Sequence, residues 1–190
     1  MRYLMPAILM LALSGCALSP QMITVQPSPE VTAANVGNNQ SVTVSTVDQR
    51  EQQAFGTRGG VYGNTSLIRP ANDLVAVITD AVRKGLQAQG FNAFNPTDDG
   101  RPLEVRIATL SYVPEEGSVV NRVEVNTVIE ALARNPQGDE YKGVYRAGNT
   151  YEQPLTPSAA RNEMMINEVL NRALKQLLAD PKLLSFMAAQ

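Results

Sequence analysis

The chain has 190 residues, with 16 Lys and Arg against 18 Asp and Glu, no His, no Trp and a single Cys. At 44% hydrophobic and 18% charged it has the composition of a folded chain, and its length suits one domain with a core of its own. A net charge of -2 leaves no basic footprint for nucleic acid, one Cys excludes an internal disulfide, and the lack of His excludes His-based triads and the usual zinc sites.

Arg2 precedes an eleven-residue apolar run, residues 3–13, which suits the hydrophobic region of a signal peptide. It falls short of the roughly 20 residues a spanning helix needs. The run ends in Leu13-Ser14-Gly15-Cys16, which resembles a bacterial lipobox. On that resemblance Leu13, Ser14 and Gly15 are the signal peptidase recognition residues, Cys16 receives acyl chains, and residues 1–15 are the lipoprotein signal peptide. Several chains on one residue anchor a protein stably, each buried CH₂ contributing about 0.8 kcal/mol. Ala17-Leu18-Ser19 follows, with no Asp beside the Cys. By resemblance to Gram-negative sorting signals this implies the outer membrane, lipid-anchored on its periplasmic face.

In residues 16–40, Pro20, Pro27, Pro29 and Gly37-Asn38-Asn39 exclude a central strand and predict a flexible tether, in which residues 22–25 can still pair as a short edge strand. A single domain is expected over residues 41–190. The β-branched residues of 41–48 predict its first strand. Residues 49–64 carry Gly56, Gly59, Gly60 and Gly63, which predict an irregular loop and fit neither phosphate-binding glycine pattern. At the loop's root Asp48 and Arg50 stand two apart, the spacing for a salt bridge that fixes it. The alternative is an exposed Arg50 that, with Arg58 and Arg69, recognises an anionic partner. Should the loop be a binding lip, Phe55, Arg58 and Tyr62 are its contact side chains, beside Asp48 and Arg50.

A brief strand is predicted over residues 66–69, closed by Pro70. Asn72 or Asp73 then caps a helix whose apolar residues Leu74, Val77, Ile78, Ala81, Val82 and Leu86 recur at steps of three and four up to Gly90. A short strand over 91–94 and a turn at 96–100 follow. Residues 103–113, 119–133 and 140–151 alternate apolar with polar, joined by turn-like 114–117 and 135–139, and so predict an antiparallel meander. In its first strand Leu103, Val105, Ile107 and Val113 are expected on the buried side; in its third, Tyr141, Tyr145 and Tyr151 share one side and are expected to pack against a helix. Thr156-Pro157-Ser158 opens the last long helix, with Ile166, Val169, Leu170, Ala173, Leu174 and Leu177 as its stripe, and residues 182–188 form a final turn. These elements make a two-layer α+β sandwich: a mostly antiparallel sheet, three-strand meander plus N-terminal strand, packed on two helices.

The lipobox, Val47-Asp48-Gln49-Arg50, a glycine-containing loop, Leu86-Gln87-Ala88-Gln89-Gly90-Phe91, the meander and the C-terminal helix, in that order, resemble the YajG family of small Gram-negative outer-membrane lipoproteins. The resemblance covers the mature domain, implies the location and carries over no catalytic residue. Nor do the residues suggest one. Glu124 and Glu130 stand roughly 20 Å apart along a strand, beyond the glycosidase spacing, and no metal or cofactor pattern occurs. The expected function is a non-enzymatic accessory or binding module of the cell envelope, held to the membrane through Cys16 and partnered by another envelope protein. The alternative is a carrier or sensor of a small envelope ligand, a lipid or peptidoglycan fragment, held between sheet and helices.

Overall fold

The computed structural model describes residues 18–60, 63–115, 117 and 120–189. Leu13, Ser14, Gly15, Cys16 and Tyr62 lie outside them. The described residues form a mixed sheet of seven strands with three α-helices on one face. Its centre is the meander β5 (Arg101–Glu115), β6 (Asn121–Arg134) and β7 (Glu140–Gln153), antiparallel throughout. The first strand, β2 (Val42–Asp48), adds to β5 in parallel, from Val42↔Arg101 to Asp48↔Ile107, so the sheet is mixed, mostly but not wholly antiparallel. The cause is the helix between them, since a parallel neighbour requires a crossover connection. Farther along the same edge of β5 lie β3 (Gly56–Thr57), β4 (Leu67–Pro70) and β1 (Gln21–Ile23).

Local chemistry accounts for the helices. In α1 (Leu74–Ala88) the Asp73 carboxylate accepts from Ala76 N at 3.1 Å, Leu74, Ile78, Ala81, Val82 and Leu86 are buried, and the chain leaves through Gly90 at φ +87. Asn72, the other candidate cap, instead bonds the backbone of Val25 in both directions. Ser158 caps α2 (Ala159–Leu178), with Pro157 just outside the helix, and the predicted stripe is wholly buried together with Met165 and Leu178. The final turn is a third helix, α3 (Pro181–Ala188), with Asp180 as its cap and Pro181 in its first turn. Between sheet and helices the layer is filled, Ile78, Leu86, Leu103, Ile107, Ile129, Met165, Ile166, Leu170 and Leu174 all being fully buried. Each contributes roughly 1.5 to 3 kcal/mol of transfer free energy.

Three expectations are corrected. A β-bulge between Ile107 and Thr109 shifts the alternation of β5 by one residue, so Leu110 and Tyr112 enter the core and Val113 is 47% exposed. Residues 91–94 form a single bridge, Asn92 to Ser41, rather than a strand. The segment expected as a tether is laid against the domain from Gln21 onward. There β1 pairs with β4, Ile23 and Val25 are buried, and the backbone N–H groups of Thr24, Gln26 and Ser28 donate to Glu163, Asn167 and Asn171 of α2 at 2.8, 2.8 and 2.7 Å. Farther on, Ala34 N, Gly37 N and Asn39 N donate to carbonyls at the end of α1. The segment is a strap across the helical layer.

Candidate functional site

At the end of β2 the chain turns, and the Arg50 guanidinium folds back on the Asp48 carboxylate in a bidentate pair, Nε to Oδ1 at 2.9 Å and Nη2 to Oδ2 at 2.8 Å. The Arg50 side chain is only 5% exposed, with its guanidinium carbon 5.1 Å from the centroid of the Phe55 ring. Burial raises the Asp48 pKa, but hydrogen bonds from the Arg50 side chain and backbone, with the Arg50 charge, bring it below its ordinary value. These contacts match the salt bridge expected at the loop's root.

The glycine loop is more regular than its composition suggests. Phe55 N donates to Ile68 O and Tyr112 N to Phe55 O, each at 2.8 Å, which inserts β3 between β4 and β5. Gly56 is required there, because a Cβ would run into the Tyr112 carbonyl. Ser66 Oγ then ties the turn together through Thr57 Oγ1 and Gly59 O at 2.7 and 3.0 Å. Phe55, expected as a contact side chain, is 3% exposed and belongs to the core, so it offers no surface to a partner.

The structure brings Arg50 together with Arg69 and separates both from Arg58. Asp48, Arg50 and Arg69 line a cleft of about 370 Å³ with Met22, Asp73 and the first turn of α1. Arg69 is exposed and makes no ion pair among the described residues. Arg58 lies instead in a second groove, where it donates to Ser19 O at 2.9 Å. Sequence reasoning missed Met22 and the helix start as cleft walls. The available signal was the adjacent pair Asn72-Asp73, two strong capping residues of which only one could cap.

The tyrosines of β7 pack as expected. Tyr141 and Tyr145 hydroxyls donate to Asp180 Oδ2 at 2.6 and 2.7 Å, and the Tyr151 hydroxyl lies 3.0 Å from Glu168. Burial pushes Asp180 upward, but these two hydroxyls and the backbone N–H groups of Lys182 and Leu183 hold it below its ordinary value. Glu124 and Glu130 stand on the outer, solvated face of β6. Among the described residues no group of three His, Cys, Asp or Glu side chains could hold a metal, and no helix is long and apolar enough to cross a membrane.

A family model described as uncharacterized lipoprotein matches residues 27–188. No curated protein matches the chain. Similar solved structures include a protein of Xanthomonas campestris, at 12% identity and TM-score 0.47 over 90% of this chain and 95% of that one. A minor lipoprotein of Acinetobacter baumannii has 11% identity and TM-score 0.41 over 75% and 92%. Rare lipoprotein B of Shewanella oneidensis has 14% identity and TM-score 0.42 over 77% and 94%.

Proposed function

The chain belongs to this lipoprotein family, and on that premise we propose that it is held at the periplasmic face of the outer membrane by acyl chains on Cys16. There it serves as a non-enzymatic accessory module that binds another envelope protein. The anchor rests on the lipobox sequence ending at Cys16, the chain's one Cys. The binding role rests on the cleft between β1, β4 and the start of α1, which presents Arg69 beside the rigid Asp48–Arg50 pair. An exposed Arg next to a fixed ion pair suits a carboxylate or phosphate group on the partner. A ligand held between sheet and helices has less in its favour, because side chains fill that layer.

Two measurements test this reading. Cys16→Ala is expected to abolish acyl labelling and leave unprocessed precursor, and labelling that persists rejects the anchor. A photoreactive residue at position 22, on the exposed wall of the cleft, in the lipidated protein is expected to crosslink one envelope protein in cells, with Arg69→Ala weakening the capture. No crosslink from position 22 rejects the cleft as the contact surface.

A further inference from the structure

Where the anchored chain enters the domain is set by contacts near the first described residue. Leu18 Cδ1 lies 3.6 Å from where a Cβ on Gly60 would stand, Ser19 O accepts from Arg58, and the Gln21 amide meets the Asn162 amide at 2.7 Å. Cys16 is two residues from Leu18, a span of about 7 Å at most. The domain therefore has no long leash, and the end from which Leu18 emerges must stay close to whatever holds Cys16. At that end a groove of about 260 Å³ joins Arg58 to Asn121 and Arg122 at the start of β6 and to Thr156 and Pro157 ahead of α2. The neighbours of those residues in the chain are apolar and exposed: Leu155 is 77% and Val120 37% accessible. Single exposed apolar residues are ordinary, but these two flank the groove beside the chain's exit.

From this juxtaposition we infer that the end of the sandwich bearing Leu155 and Val120 rests on the bilayer that takes up the acyl chains, with both side chains in its headgroup region. This rests on the anchor proposed above and fixes which end of the domain faces the lipid. The sheet then points away from the membrane. The bridge between Ser41 and Asn92 and the start of β5 lie roughly 35 Å along the strand from Tyr112, so Phe94, itself 40% exposed, is held far from the surface.

The test uses the full lipidated protein. Acylation consumes the thiol of Cys16, so Leu155→Cys, Val120→Cys and Phe94→Cys each supply one reactive thiol for an environment-sensitive fluorophore. Each is reconstituted into vesicles of phosphatidylethanolamine and phosphatidylglycerol carrying nitroxide-labelled lipid. Labels at 155 and 120 are expected to shift to the blue and to be quenched severalfold more than the label at 94. Protein that floats with the vesicles but shows equal quenching at all three positions overturns the inference and leaves the anchor standing. A label at 155 shielded from aqueous quencher yet untouched by the lipid nitroxide also overturns it, since a protein surface then covers this end. Protein that is not acylated and does not float overturns the anchor and this inference together.

Discussion

The Asp48–Arg50 pair shows how two residues can set the shape of a longer segment. The guanidinium has its carboxylate on one side and the Phe55 ring on the other, and Nη1 also reaches Gln53 O at 3.4 Å. Removing it strands a partly buried carboxylate and uncovers a core aromatic. Arg50→Ala is therefore expected to cost about 2 kcal/mol, above the ~0 to 1 kcal/mol of a surface pair, because one partner of the bond is buried. Urea unfolding measures the cost. Limited proteolysis locates it, with faster cleavage expected within residues 51–60. Unchanged cleavage there shows that β3 is held by its own ladder bonds and that the ion pair does not order the loop. Arg50→Lys should recover only part of the loss, since an ammonium offers neither the bidentate fork nor the flat face over Phe55.

Among the elements, the strap is built by a match of periods. Residues four apart on α2 are separated by about 6 Å along its axis, and alternate residues of an extended chain advance by nearly the same distance. Glu163, Asn167 and Asn171 can thus serve Thr24, Gln26 and Ser28 in turn. Pro27 falls between two of these donors and Pro29 just after the last, where a missing N–H costs nothing, so the prolines that read as a tether suit the bound strap equally well. Asn167 also donates to Thr24 O at 3.1 Å. Asn167→Ala should cost about 1 to 2 kcal/mol for its lost bonds. Hydrogen exchange at Gln26 and Ser28 is expected to speed up more than at core amides of β6, and equal protection in the variant would show that packing of Val25 alone holds the strap. The contrast with the helices explains what was legible. Three- and four-residue spacing, Asp73, Ser158 and Gly90 are local signals, and so are the alternations of β6 and β7. The bulge in β5 is one inserted residue with no distinctive side chain, and the strap's partners stand some 140 positions away, where no local pattern points to them. The candidate cleft was legible only as Asp48 and its arginines, because the register Met22↔Arg69 that completes it comes from tertiary pairing.

For the molecule as a whole, the lack of His has a direct consequence for stability. Apart from the Cys16 thiol, no side chain with an ordinary pKa changes charge between about pH 5.5 and 9, so the unfolding free energy of the domain should be flat across that window. Below it the paired carboxylates act. Asp180 and Asp48 are held beneath their ordinary value of 3.8, so the unfolded chain takes up protons first as the pH falls. Their stabilisation is complete above that value and is lost as the pH drops through the folded-state pKa. The alkaline side has the opposite sign. Burial pushes Tyr112 up from 10 to about 12 and raises Tyr145 as well, so the unfolded chain loses protons first and stability falls as the pH rises between those values. Asp180→Asn isolates one contribution. At neutral pH it removes the ionised acceptor shared by Tyr141, Tyr145 and the first turn of α3, and a loss of about 2 kcal/mol is expected. In acid, where the wild-type carboxylate is itself protonated, the two proteins should converge. Thermal unfolding of both chains from about pH 2.5 to 12 checks the account. A step between pH 6 and 8 would overturn the expected flat window, and a constant gap down to the lowest pH would mean that Asp180 contributes through shape and capping rather than through its charge.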